Sequence, residues 1–194
     1  MKKTIVLGVA VLFAFGANAQ VEAHFGLKGG LNASELHSKD VKADTKIGFH
    51  VGGLAHIHGN SNWAFQPEVM YSLEGAKYKT PLGTLNRNLS FINVPLLAQY
   101  MFDNGFRIEA GPQIGFLMSA KDKIDNSNPD IKGQFKSTAV SLPVGVGYLT
   151  RSGLGFDARY NFGLTDLNKD GQSVKGNNFQ FGIFWQFSDP KIKK

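Results

Sequence analysis

From Asn178 to Phe187 the chain reads N-F-Q-F-G-I-F-W-Q-F, with Phe179, Phe181, Ile183, Trp185 and Phe187 at every second position. Asn178, Gln180, Gly182, Phe184 and Gln186 stand between them. A period of two puts the first set on one face of a β-strand and the second on the other. One face is large and apolar, the other mostly small or polar. The chain must therefore build a sheet that keeps the two kinds of face apart.

Seven further segments carry alternation: 23–32, 47–57, 63–74, 89–102, 106–118, 137–149 and 154–164. In the seventh, Phe156, Ala158, Tyr160 and Phe162 oppose Asp157, Arg159 and Asn161; in the fourth the alternation is weak. Short turns follow the second, fourth and sixth segments, at 58–62, 103–105 and 151–153, and are rich in Asn, Gly, Ser and Asp. Long polar loops follow the odd-numbered segments, at about 33–46, 75–88, 119–136 and 165–177. Strands of roughly 9–11 residues, short turns at one end and long loops at the other are the pattern of an outer-membrane barrel. The expected fold is all-β: an eight-stranded antiparallel transmembrane β-barrel with short periplasmic turns and long extracellular loops. Closing such a sheet leaves no unpaired strand edge in lipid.

The aromatic residues assign the faces. Trp63, Tyr100, Phe102, Phe106, Tyr148, Phe156, Trp185 and Phe187 fall at the short-turn ends of their strands, as a girdle at a membrane interface would. Phe49, Tyr71, Phe116, Phe162 and Phe179 form a second set near the long loops. Apolar faces are thus expected to meet lipid, and polar faces the lumen. A soluble ligand-carrying barrel, the inverse arrangement, would leave these girdles unexplained.

Met1-Lys2-Lys3, an uncharged run to Gly16 and Ala17-Asn18-Ala19 have the form of a secretory signal peptide, too short to span a bilayer as a helix. The expected organisation is a signal peptide at 1–19, the barrel at 20–187 and a short basic periplasmic tail at 188–194. The expected address is the cell outer membrane. Loss of Lys2 and Lys3 leaves 19 Lys/Arg against 15 Asp/Glu, a net charge of +4. These charges are dispersed, with no run suited to nucleic acid, and without cysteine no disulfide is available.

The lumen face carries Lys28, Glu68, Arg107, Glu109, Asp157 and Arg159, with His50 and Glu74. An eight-stranded barrel has room inside only for side chains, so these charges are expected to pair as a structural network rather than to line a pore. Pro67, Pro95, Pro112 and Pro143 lie inside four successive strands at similar heights, where each removes a ladder donor. Their alignment predicts a belt of local β-bulges.

Three stretches resemble a known family. Gly26-Leu27-Lys28-Gly29-Gly30-Leu31-Asn32-Ala33-Ser34 is similar to the opening strand of the PorT-like outer-membrane β-barrels, also labelled porin family. Phe91-Ile92-Asn93-Val94-Pro95-Leu96-Leu97-Ala98-Gln99-Tyr100 resembles their L-x-I-P-L-L-L-K-Y strand, with Gln99 replacing the usual basic residue. Residues 158–166, A-R-Y-N-F-G-L-T-D, resemble their R-Y-x-x-G-L-T-D segment. The resemblance covers essentially the whole mature chain. It implies an eight-stranded outer-membrane barrel with no shared catalytic site. A namesake member serves in a secretion apparatus, a role that fold alone does not transfer.

Other motifs carry less. Asp166-Leu167-Asn168-Lys169-Asp170-Gly171 matches half of a calcium loop, but its twelfth position is Asn177 and lysines stand at 169 and 175. Asp166, Asn168 and Asp170 remain a weak cation candidate, and no metal or cofactor is expected. His56 and His58 point the same way from a strand end; they are expected to be a solvated turn or interface pair, with His24 and His37 forming no cluster with them. His37-Ser38 lies in a loop, and no G-x-S-x-G nucleophile motif occurs. The functional expectation is a non-catalytic barrel: a scaffold for surface loops or a subunit of an envelope or secretion assembly. Its expected partners are outer-membrane lipid and other envelope proteins. The alternatives are a narrow ion or small-solute channel and a lipid-modifying enzyme.

Overall fold

The computed structural model describes residues 23–38, 43–59, 62–80, 83–124, 127–170 and 174–187; the expected signal peptide and basic tail lie outside them. Among these residues nine strands form one antiparallel sheet: β1 (Ala23–Ser38), β2 (Lys46–His58), β3 (Trp63–Thr80), β4 (Gly83–Met101), β5 (Phe106–Ala110), β6 (Gln113–Lys123), β7 (Thr138–Leu149), β8 (Leu154–Gly163) and β9 (Val174–Gln186). β1 pairs with β2 on one side and with β9 on the other, so the sheet closes on itself. β5 and β6 are one crossing interrupted at Gly111-Pro112, and the ring has eight crossings.

The faces sort as the alternation requires. Phe181 is 57% exposed and Trp185 47%, while their neighbours Gln180, Phe184 and Gln186 are buried. The weak alternation of β4 has a local cause: Leu89, Phe91 and Leu97 point inward and are buried, so both of its faces are apolar. All eight girdle aromatics lie at the short-turn end. Trp63, Tyr100, Phe102 and Phe106 touch in sequence, with ring centroids 5.2, 5.1 and 5.7 Å apart. Gly105 and Gly153 take φ of 89° and 88° in two of the short turns, where other residues would be strained.

Several strands run past their expected ends on the long-loop side. The polar stretch 75–88 is a paired hairpin out to Thr80↔Gly83, and β1 continues to Ser38 against β9. Polar composition suggested loops, but a strand that has left the lipid keeps its backbone ladder while taking polar side chains.

The predicted bulges are absent at the prolines. Pairing lapses beside Pro67 and Pro95, and the strand breaks at Pro112. Yet the register is the same before and after: Leu54↔Glu68 resumes as Ile57↔Phe65, and Pro95↔Gln113 resumes as Ala98↔Ala110. Pro143 sits in continuous register opposite Asn161. Proline removes a donor without adding a residue, so bonds are lost and register is not. The register shift in the β4–β6 ladder lies instead between Ser90 and Phe91.

Candidate functional site in the lumen

Inward positions of β1, β3, β5 and β8 bring Lys28, Glu68, Arg107, Glu109, Asp157 and Arg159 into one buried layer. Arg159 is its centre. Its Nη1 and Nη2 each donate to a Glu68 carboxylate oxygen at 2.7 Å, and its Nε donates to Glu109. Asp157 lies 3.7 Å from the same Nε and accepts from Lys28 Nζ at 2.7 Å. Arg107 stands apart from the direct ion pairs: its Nη1 donates to Gln99 Oε1 at 3.2 Å and its guanidinium lies over the Phe184 ring, 4.6 Å from the centroid. Three cations and three carboxylates make the layer neutral, which buried charge demands.

Amides complete the layer. Gln66 donates to Glu68 at 2.7 Å, and Gln99 donates to Glu109 at 2.6 Å. Glycines on facing strands clear the space. A Cβ at Gly182 would lie 2.7 Å from Lys28 Cε, and one at Gly145 would lie 2.7 Å from Arg159 Cγ. Phe184 closes the short-turn end with Leu54 and Leu149, over Gly155.

Above this layer, toward the long loops, the charged side chains turned inward are Glu74 and Lys46, whose Nζ donates to Glu74 O at 3.1 Å, with the Arg87–Asp122 pair nearer the mouth. Asn32 Nδ2 donates to Ser72 Oγ at 2.8 Å, and its Oδ1 meets His50 Nδ1 at 2.8 Å. Ser72 and Asn93 both donate to Glu74 Oε1, at 2.8 and 3.0 Å. Next comes a cavity of about 40 Å³, with Glu74, Asn93, Asn161 and Asn178 on its polar side and Leu89, Phe91 and Leu167 on its apolar side.

The mouth is then roofed. Ile131 and Phe135, flanking a 3₁₀ turn at Lys132–Gln134, join Leu36, Leu89, Leu117, Leu167 and Val174 in a buried apolar cluster. Backbone bonds stitch two loops together: Lys136 N–H donates to Leu167 O at 2.7 Å and Lys169 N–H to Gln134 O at 3.0 Å. Arg87 lies between the Tyr78 and Phe135 rings, at 5.3 and 5.6 Å, and is paired with Asp122 through two bonds of 2.8 and 2.7 Å. These bonds push the Arg87 pKa up, against the opposing effect of burial.

The histidines are placed differently from expectation. His56 is buried rather than solvated, and its Nδ1 meets Gln66 Oε1 at 3.2 Å. His24 pairs with His56 across β1–β2, and the His58 ring lies 5.3 Å from His24 and 4.7 Å from His56. His24 therefore does cluster with them; only the strand register reveals it. Among the described residues no group of three His, Cys, Asp or Glu has metal-binding geometry. Of the cation candidate, Asn168 bridges to Phe135 as part of the roof and Asp170 is exposed, while Gly171 lies outside the described residues.

Comparison with known proteins follows the fold. The profile of a family described as outer membrane protein beta-barrel domain matches residues 18–169. Neisserial surface protein A is similar in structure, with a TM-score of 0.63 at 17% identity, over 86% of this chain and 99% of that one. Ail, the attachment invasion locus protein of Yersinia pestis, gives 0.56 at 16% identity over the same shares. Ail has also been solved with the heparin analogue sucrose octasulfate. No curated protein matches the sequence.

Proposed function

Because the chain belongs to the outer membrane protein beta-barrel domain family, we propose that it is a closed, non-catalytic barrel whose long connections face the cell surface as a scaffold for envelope partners. The observation that carries this is the doubly blocked lumen. A neutral layer of six charged side chains fills the cross-section, and the folded roof of Ile131, Phe135 and Leu167 covers the mouth. A channel would need a continuous polar path, and the apolar roof argues against one. Among the described residues, backbone pairing continues outside the lipid band, along β3 and β4 to Thr80↔Gly83 and along β1 and β9 to Ser38↔Val174, which suits a surface presented to something else. Ail's name and its complex with a heparin analogue are consistent with surface roles for this fold and leave this chain's partner to experiment.

The resemblance to PorT-like barrels makes a subunit role in an envelope assembly the finer form of the proposal. Single-channel recording in planar bilayers tests the closed lumen: no conductance steps are expected, and regular open steps would refute it. Gentle detergent extraction from the native envelope, with co-eluting proteins identified, distinguishes a lone barrel from a subunit.

A further inference from the structure

The net charge of the chain is unevenly distributed. The long connections at 33–46, 75–88, 119–136 and 165–177 hold 12 Lys/Arg and 8 Asp/Glu, which accounts for the whole +4 of the chain beyond residue 19. The fold concentrates part of that excess on one face. Beyond the apolar band, β3, β4 and β6 continue side by side as a three-stranded sheet. Its registers read Lys77↔Asn86↔Lys123 and Gly75↔Asn88↔Lys121, with Lys79 opposite Thr84.

Alternation sends these lysines outward. Ala76, Leu89, Ala120 and Asp122 are buried on the inner side, while Lys79, Lys121 and Lys123 are exposed and Lys77 half-buried. Asp122, the one carboxylate on the β6 extension, is turned inward onto Arg87. Lys132 brings a further ammonium to the edge of the patch, donating to Met118 O at 2.9 Å. Among the described residues, the ion pair on this face is Lys79 with Asp44, at 3.4 Å and widely exposed. Asp130 stands opposite Lys121 and accepts from Lys132 N–H at 2.8 Å, so the five lysines outnumber two carboxylates here.

The patch stands directly above lipid-facing residues of the same strands, Tyr71 on β3 and Phe116 and Met118 on β6. Met118 and Lys121 are three residues apart, about 10 Å along a strand and roughly 7–8 Å in height at barrel tilt. That is headgroup level, within reach of a lysine stem. Lys77 and Lys123 flank Asn86 two strands apart, about 10 Å from each other, a spacing that one anionic group between them can bridge. The sheet also holds them in place, since the Arg87–Asp122 pair and the Tyr78 and Phe135 rings fix its inner face.

We propose that this face binds the phosphate groups of a phosphorylated glycolipid headgroup in the outer leaflet. Lys77, Lys79, Lys121 and Lys123 supply the cations, and Asn86 and Asn88 supply amide donors between them. Basic clusters at a membrane surface attract anionic headgroups in this way. The inference rests on the proposed orientation, with the long connections outside. That orientation is tested separately by Lys123→Cys in the otherwise cysteine-free chain: an impermeant thiol reagent should label it on intact cells, and failure to label refutes the orientation itself.

The binding test uses the whole folded chain in detergent micelles, titrated with bis-phosphorylated lipid A and read by native mass spectrometry. Folding of every variant is confirmed by heat-modifiable gel mobility. The variant K77Q/K79Q/K121Q/K123Q should bind on the order of tenfold or more weakly. K136Q/K175Q, which strips lysines from elsewhere on the loop side, should stay within about twofold of the parent. Lipid A lacking both phosphates should lose binding to the same degree. Equal binding by the quadruple variant, or by the dephosphorylated lipid, overturns the proposal. Displacement by sucrose octasulfate at the same potency as by lipid A also overturns it, in favour of a soluble polyanion.

Discussion

Replacing Arg159 with Met tests the lumen layer most directly. The side chains are similar in length, so little volume is lost, but the guanidinium that bonds both Glu68 oxygens and Glu109 is gone. Glu68, Glu109 and Asp157 then face only Lys28 and Arg107, and the layer carries an uncompensated negative charge. Removing one partner of a buried pair costs about 3–5 kcal/mol, because the other charge stays buried without its counter-ion. The measurement is equilibrium urea unfolding of the barrel in lipid vesicles, followed by tryptophan fluorescence and gel mobility. Arg159→Met should lose about 3–5 kcal/mol. Arg159→Lys keeps the charge but not the two-pronged geometry and should lose about 2 kcal/mol. The decisive variant is Arg159→Met with Glu68→Gln, which restores neutrality and should recover about half of the loss or more. If Arg159→Met unfolds within about 1 kcal/mol of the parent, or Glu68→Gln brings no recovery, charge balance is not what holds the layer together.

Other positions test packing. A Cβ at Gly155 would lie 1.9 Å from Phe184 Cζ, and that ring is held under Arg107 with Leu54 and Leu149. Gly155→Ala should therefore cost about 1–3 kcal/mol in the same unfolding experiment, and adding Phe184→Leu should return part of it. Phe135 is 3% exposed at the centre of the roof, so Phe135→Ala should open the roof locally. Limited proteolysis should then cut within 124–137 on the order of tenfold faster, while the midpoint of barrel unfolding stays put. Loss of barrel stability to the same extent would mean that roof and barrel unfold as one unit.

The strand count, the faces and the six lumen charges were legible because each is a local signal. Alternation with period two reports which side of a strand a residue occupies, and a charge on the inner side of a narrow barrel must lie near others. What escaped needs neighbouring strands to be laid side by side. Gln66 and Gln99 read as ordinary polar residues until their strands bring them to Glu68 and Glu109. His24 is thirty-two residues from His56 in sequence and directly opposite it in the sheet. Phe184 breaks the alternation of β9, and only the register shows that Gly155 and Arg107 make room and company for it. The roof was hidden for another reason. Ile131, Phe135 and Leu167 are isolated apolar residues in polar loops, with no periodicity to mark them, and their common burial appears only when two loops cross the same mouth.

The two ends of the lumen are closed by different chemistry, and the difference bears on what the barrel is for. At membrane depth, side chains cannot lean on water, so closure uses charges that cancel and amides that complete them. At the mouth, beyond the lipid band, closure uses an apolar cluster, and a cluster there must be covered by backbone from the loops. Among the described residues that covering ties the loop side together: the bonds from Lys136 to Leu167 and from Lys169 to Gln134 join two connections, and Arg87 ties the β3–β4 extension to the same roof. A barrel that only anchored loose loops would need none of this. A barrel that presents a fixed surface would need it, because lysines on a floating hairpin would pay ordering entropy each time they met an anion. Sealing the lumen and stiffening the outer face are thus one structural act, and loosening the roof should weaken binding at the lysine face even though no lysine has been changed.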